Sequence, residues 1–231
     1  MKVVILAGGF GTRLQEYAKT IPKPMVKIVN KPILIHIMSH YAKYGFKDFI
    51  IASGYKKEVI KKYFKKKFFD WNVEVVDTGL HTMTGGRLKR LKQLINQNTF
   101  LMTYGDGLSD VNLKNLIKFH KKNKAIATLT AVRPPARFGV IKLSGNKVNI
   151  FREKSSLDSG WINGGFFVLE PKIFNYIKND KTFFEKEPLK RVSKHKKLFA
   201  FKHKKFWHCM DTLRDKLILE KILKNRLKKK I

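Results

Sequence analysis

A single cysteine, Cys209, stands in 231 residues. One thiol cannot close an intrachain disulfide, so the fold must rest on an apolar core. A reducing, cytoplasmic setting is expected. No apolar run approaches the roughly 20 residues that cross a bilayer as a helix. Val3-Val4-Ile5-Leu6-Ala7 follows one lysine and runs straight into glycines. It is too short for a signal-peptide core and reads as a buried strand. Acid is scarce: 17 Asp and Glu face 50 Lys and Arg, a formal net charge of +33. Such a charge suits nucleic acid or anionic membranes. Arginine is scarce as well, making up nine of the fifty basic residues. Proteins that read base edges favour the planar fork of arginine. The lysines are spread along the chain, and neither zinc-finger spacing nor an aromatic RNP-like motif occurs. The expectation is a lysine-coated, solvated surface with no specific nucleic-acid partner and no membrane association.

What is present is globular. Hydrophobic residues make up 43% of the chain, with 18 Phe and 3 Trp. That is enough for one large α/β domain or two small ones. Strand-length apolar runs at 2–7, 48–53, 72–77, 99–104 and 125–132 alternate with helical patterns at 32–44, 56–67, 87–95 and 112–122. This alternation predicts a mostly parallel sheet with helices on both faces. After residue 133 the pattern turns β-rich, with strands expected at 138–143, 147–153, 164–169 and 198–203. Helices are expected near 171–178, 183–194 and 212–229. We read 1–231 as a single domain, with an alternating α/β half (1–132) and a β-rich second half that ends in a helix (133–231).

The strongest motif is Leu6-Ala7-Gly8-Gly9-Phe10-Gly11-Thr12-Arg13-Leu14, followed by Pro22-Lys23-Pro24. Glycines let backbone N–H groups approach phosphate oxygens. The loop follows the first strand of an α/β pattern, where ligands collect at strand carboxyl ends. Arg13 and Lys23 are cations placed to offset a triphosphate. Leu14 stands where the Rossmann fingerprint has its third glycine, and no Gly-Lys-Ser/Thr of a Walker loop occurs. Among the few acids, Asp106 lies between two glycines at a strand end, and Asp211 precedes the last helix. One or two carboxylates with substrate phosphates are the usual holders of Mg²⁺. A turn residue at Asp106 and an N-cap at Asp211 are the structural alternatives.

Gly8-Gly9-Phe10-Gly11-Thr12-Arg13 with Lys23-Pro24 resembles the signature of the sugar-1-phosphate nucleotidyltransferases. The run from Thr78 through Gly85-Gly86-Arg87 to Arg90 resembles the cytidylyltransferase branch of that family. So do Tyr104-Gly105-Asp106-Gly107, the stretch Gly160 to Glu170, and Met210-Asp211-Thr212-Leu213-Arg214-Asp215-Lys216. The likeness runs from residue 1 to about 220. It implies a Rossmann-like, GT-A-like central sheet and transfer of a nucleotidyl group from CTP to α-D-glucose 1-phosphate, with Mg²⁺ on Asp106 and Asp211. It further implies that Lys154 holds the sugar phosphate, that Glu153, Gly139 and Asn163 face the sugar, and that the chain forms a homo-oligomer. Leu6, Ala7, Gly8, Gly9, Gly11 and Thr12 would cradle the nucleotide. Arg13 would act on the pyrophosphate and Lys23 on the α-phosphate. We tie Arg87 to base choice, because cytosine offers two acceptors to an arginine, with Gly86 giving backbone access. A phosphate-facing or surface arginine is the other reading.

No general base is needed for this chemistry. A phosphate monoester loses its second proton near about pH 6, and positioning with charge stabilisation can do the rest. UTP, dTTP or GTP as donor, or a non-catalytic sugar-nucleotide sensor, are the alternatives. A sensor would lack Lys23, Asp106 or Asp211. The chain departs from the family at Ser155 (usually Pro), His208-Cys209 (Gln-Pro), Ala136 (Gly), and a shortened segment between Phe64 and Thr78.

Overall fold

The computed structural model describes residues 1–14, 17, 19–65, 70–95, 97–134, 139–152 and 160–228. Strand β1 (Val3–Ala7) is buried along its whole length. Side chains alternate across a strand. Val3, Ile5 and Ala7 therefore enter one apolar cluster, and Val4 and Leu6 another. A strand covered on both faces belongs inside a sheet with layers on each side.

A hairpin of β2 (Lys27–Ile28) and β3 (Lys31–Pro32) comes next, then helix α1 (Ile33–Ala42), β4 (Asp48–Ser53), α2 (Lys57–Phe64) and β5 (Asn72–Asp77). Helices α3 (Thr84–Arg90) and α4 (Lys92–Ile95) lead to β6 (Phe100–Tyr104), followed by β7 (Gly107–Ser109), α5 (Leu113–Lys122) and β8 (Ala127–Val132). The second half holds the antiparallel hairpin of β9 (Val140–Ser144) and β10 (Lys147–Arg152), then β11 (Ile162–Asn163) and β12 (Phe167–Leu169). It ends with α6 (Glu187–Lys194), β13 (Leu198–His203), β14 (Trp207–Cys209) and α7 (Leu213–Lys228).

The main sheet has eight strands in the order β11-β8-β12-β6-β1-β4-β5, with β13 joined to β8. The block β6-β1-β4-β5 is parallel, and so is the β8–β13 pair. Strand β12 runs antiparallel between β6 and β8, and β11 is antiparallel to β8. Both halves of the chain thus contribute to one sheet, and the expected α/β architecture is found. The β6–β1 pair positions the site. Its carboxyl ends deliver Ala7 into the glycine loop and Tyr104 into Gly105-Asp106-Gly107.

Several element boundaries differ from expectation; the helix expected at 183–194, for one, begins at Glu187. Residues 164–169 are not one strand. A Cβ on Gly164 would sit 2.8 Å from Val132 Cγ1, and Gly165 and Phe166 adopt left-handed backbone at φ +76° and +46°. The chain turns there, and only Phe167–Leu169 pairs with β6. The helix expected at 171–178 is a 3-10 helix, Pro171–Tyr176. The helix expected at 87–95 begins earlier, at Thr84, and breaks at Leu91. Among the described residues no helix is long and apolar enough to cross a membrane.

Candidate active site

A cavity of about 380 Å³ opens at the carboxyl ends of β1 and β6. Leu6, Ala7, Gly8, Gly9, Gly11, Thr12, Arg13, Lys23, Arg87 and Asp106 all line it. The loop geometry explains two of its glycines. Gly11 has φ +67°, and a Cβ there would meet Lys23 Cβ at 3.0 Å, so a side chain would both strain the backbone and push the lysine away. At Gly8 a Cβ would lie 2.1 Å from the guanidinium of Arg87. Gly8 is thus required by an internal arginine, a reason separate from phosphate access. Gly9 has open space where its Cβ would be.

Lys23 sits in a tight turn, with Met25 N donating to Pro22 O and Val26 N to Lys23 O. Its ammonium donates to Asp106 Oδ2 at 2.6 Å and to Asp211 Oδ1 at 2.7 Å. Arg13 Nη1 lies 2.8 Å from Asp211 Oδ2, with its own side chain largely in solvent. Burial works against the Lys23 charge, but Asp106 and then Asp211 outweigh it and raise its pKa above the ordinary value. Burial likewise opposes ionisation of Asp211. The bond from Lys23, its charge and that of Arg13 overcome this and hold Asp211 below the usual carboxylate range. Lys23 and Asp211 each hold the other in its charged form.

The two carboxylates are 105 residues apart in sequence, and a small antiparallel pair joins them. Trp207, His208 and Cys209 of β14 face Ser109, Leu108 and Gly107 of β7, and Met210 N donates to Asp106 O at 2.8 Å. Asp211 is not the cap of the last helix. Asp215 Oδ2 accepts from Thr212 N and Oγ1, and Asp215 N returns a bond to Thr212 Oγ1. This reciprocal cap leaves the Asp211 side chain to face Lys23. Asp215 also receives the Asp211 N–H, fixing the backbone beneath that carboxylate. The neighbouring Cys209 Sγ points to Asp211 Oδ2 at 3.7 Å. Burial, and then the Asp211 and Asp106 carboxylates, push its thiol up to about 12, so it stays a thiol.

Two carboxylate oxygens converge on one point, the place of the Lys23 ammonium. A divalent cation would fit such a pair, completing its shell with water and phosphate oxygens. No cluster of three or more His, Cys, Asp or Glu that could enclose a metal occurs among the described residues.

Arg87 is placed differently from the sequence expectation. It is 4% exposed. Its Nη1 donates to Ser53 O, Thr78 Oγ1 and Gly79 O, and its Nη2 to Gly8 O and Leu80 O, at 2.7 to 3.2 Å. Burial, followed by the charge of Arg90, pushes its pKa down. These donors are committed to the glycine loop, the end of β4 and the 78–80 loop, so Arg87 shapes the cavity wall and offers no donor at the two terminal nitrogens to a base. Gly86 also has another role: a Cβ there would meet Asp180 backbone at 2.5 Å, and its N–H faces Thr182 O. The glycine pair lets the 180–184 segment dock on α3, and Gly86 does not line the cavity. Arg87→Lys is expected to lower stability by about 2–3 kcal/mol, because one ammonium cannot serve acceptors on three loops. An unchanged urea midpoint would contradict this placement.

Of the residues assigned to the sugar side, Asn163 lies on β11, with Nδ2 donating to Tyr104 Oη and Oδ1 accepting from Gly165 N. Gly139 is exposed just before β9. Glu153 and Lys154 lie outside the described residues, as do Ala136 and Ser155. Phe10, Leu80 and Thr84 line the cavity from within the motifs, where residue type assigns them no role, and Phe183 lies outside every motif. Phe10 packs on Tyr55 and His81 with ring centroids 5.3 and 5.9 Å apart, an apolar rim at the cavity mouth.

A strand-end glycine loop, a turn-held lysine and two facing aspartates thus meet at the carboxyl ends of a mixed α/β sheet. Residues 2–215 match the family model described as Nucleotidyl transferase, and the chain belongs to that family. It is 48% identical to glucose-1-phosphate cytidylyltransferase of Salmonella typhi over 95% of each chain. It is 34% identical to mannose-1-phosphate guanyltransferase of Yarrowia lipolytica, over 90% of this chain and 60% of that protein. Among solved structures, HddC from Yersinia pseudotuberculosis complexed with GMP-PN superposes with a TM-score of 0.75 at 27% identity, over 96% of this chain and 99% of that one.

Proposed function

We propose that the protein transfers a cytidylyl group from CTP to α-D-glucose 1-phosphate, giving CDP-glucose and pyrophosphate. The observation that carries this reading is the convergence of Lys23, Asp106 and Asp211 beside the glycine loop. The choice of CTP and glucose 1-phosphate leans on the 48% identity to the Salmonella enzyme.

The sugar phosphate oxygen attacks the α-phosphorus, a new P–O bond forms, and the bond to pyrophosphate breaks. The attacking oxygen is anionic near neutral pH, so the chain need only orient and neutralise. Backbone at Gly8 to Thr12 lines the phosphates. Exposed Arg13 swings to the departing pyrophosphate. Lys23 exchanges its carboxylate partners for the α-phosphate oxygens, held on course by the flanking prolines. Asp106 and Asp211 would hold Mg²⁺, which supplies charge neutralisation on the phosphates. Gly139, Glu153, Lys154 and Asn163 are proposed for the sugar phosphate, and the cytoplasm as the place of work.

The test is pyrophosphate release with Mg²⁺ and α-D-glucose 1-phosphate, run separately with CTP, UTP, dTTP, GTP and ATP. CTP is expected to exceed the others by at least tenfold, since one well-made set of base contacts discriminates by about 1–3 kcal/mol. Preference for another nucleotide would remove the base assignment and keep the reaction class.

A further inference from the structure

A carboxylate that no sequence motif marks ties together two residues of the cavity wall. Glu185 precedes α6, in the second half of the chain. Its Oε1 accepts from Tyr104 Oη at 2.8 Å, and its Oε2 accepts from Thr84 Oγ1 at 2.7 Å. Tyr104 and Thr84 both line the cavity, at the end of β6 and the start of α3. Tyr104 Oη in turn accepts from Asn163 Nδ2 at 3.2 Å.

Donor chemistry sets the direction of this chain of bonds. An ionised carboxylate only accepts. Both hydroxyls must therefore donate to Glu185, which leaves Tyr104 Oη only as an acceptor. Asn163 must turn its NH₂ toward Tyr104. Its Oδ1 then faces the other way, where Gly165 N donates to it at 3.0 Å, and the backbone donor fixes the same orientation independently. The 179–185 segment is itself anchored on α3. Met83 N donates to Asp180 O, Gly85 N to Thr182 O, and Phe184 N to Thr84 Oγ1, while Arg90 forms two bonds to the Asp180 carboxylate.

We propose that Glu185 is a positioning residue. Its carboxylate sets the orientation of Tyr104 and Asn163, and so links the geometry of the nucleotide cavity to that of the sugar-phosphate side. The inference rests on the proposed function for the identity of the second substrate. Glu185 does not itself line the cavity and acts through Thr84 and Tyr104, which do.

The experiment is steady-state kinetics of Glu185→Ala, Tyr104→Phe and the double variant, using whichever triphosphate the wild type turns over. Glu185→Ala is expected to raise the KM for the sugar 1-phosphate about tenfold, the effect of one charge-assisted hydrogen bond. Tyr104→Phe should raise that KM to a similar extent. The double variant should be no worse than the worse single one, because both changes break one relay. Glu185→Gln keeps the shape but puts a donor where only acceptors stood, and should fall between the wild type and Glu185→Ala. A thermal midpoint lowered with both KM values and kcat unchanged would overturn the proposal and leave a stability role. Multiplicative effects in the double variant would also overturn it. A wild type that neither releases pyrophosphate nor binds the sugar phosphate calorimetrically would defeat the proposed function, and this proposal with it.

Discussion

Lys23→Met is expected to lower kcat about a thousandfold, the usual cost of removing a preorganised charge-stabilising donor. Methionine preserves the length and apolar stem of the side chain, so the turn at Pro22–Pro24 should persist. What disappears is an ammonium that touches both carboxylates. Without it Asp106 and Asp211 face each other, and their mutual repulsion favours binding of another cation. The variant should therefore bind Mn²⁺ at least as tightly as the wild type while releasing pyrophosphate far more slowly. A loss of less than tenfold would show that Lys23 only neutralises the aspartates. The same cluster links stability to pH at both ends. Asp211, depressed below its ordinary 3.8, contributes stability above that value that is lost as pH falls through its folded-state pKa. Lys23, raised above 10.5, contributes stability below that value that is lost as pH rises through its folded-state pKa. Lys23→Met should weaken both dependences.

Asp106→Asn should lower turnover by about two to three orders of magnitude and raise the Mg²⁺ concentration needed for half-maximal rate, as expected when one of two cation-holding carboxylates is neutralised. Asparagine is isosteric, and the backbone on either side is already tied down: Gly105 N donates to Leu6 O, and Asp106 O accepts from Met210 N. The fold should therefore tolerate the change. Asp211→Asn should behave alike, because its Oδ1 faces the same point. The two together should be little worse than either, since groups that act as a unit are not additive. Full activity of Asp106→Asn across a MgCl₂ titration would rule out a cation-holding role.

The parts of the site legible in the sequence are those written locally. The glycine loop, Thr12, Arg13 and Lys23 lie within one loop and its turn, and residue type alone states their chemistry. Asp106 stands at the end of a strand that apolar periodicity locates. The meeting of Asp106 with Asp211 is not local. It is made by the β7–β14 pair, and only resemblance points to it. Arg87 misleads for a physical reason: an arginine beside two glycines suggests a free donor, whereas its partners are four carbonyls and the Thr78 hydroxyl, up to 79 residues away. Gly86 misleads in the same way, its missing side chain making room for Asp180. Glu185 leaves no trace because Tyr104 lies 81 residues away and Thr84 101. Alternating apolar runs locate the parallel block of the sheet. Residues 164–169 pass for a strand because apolar pattern does not reveal the contact of Gly164 with Val132.

The most direct test uses CTP labelled at the α-phosphorus, incubated with the protein, Mg²⁺ and α-D-glucose 1-phosphate, with the products separated and counted. Attack at the α-phosphorus predicts that the label moves into a nucleotide sugar and that the released pyrophosphate is unlabelled. Label that stays in CTP, or that appears only as CMP, would contradict it.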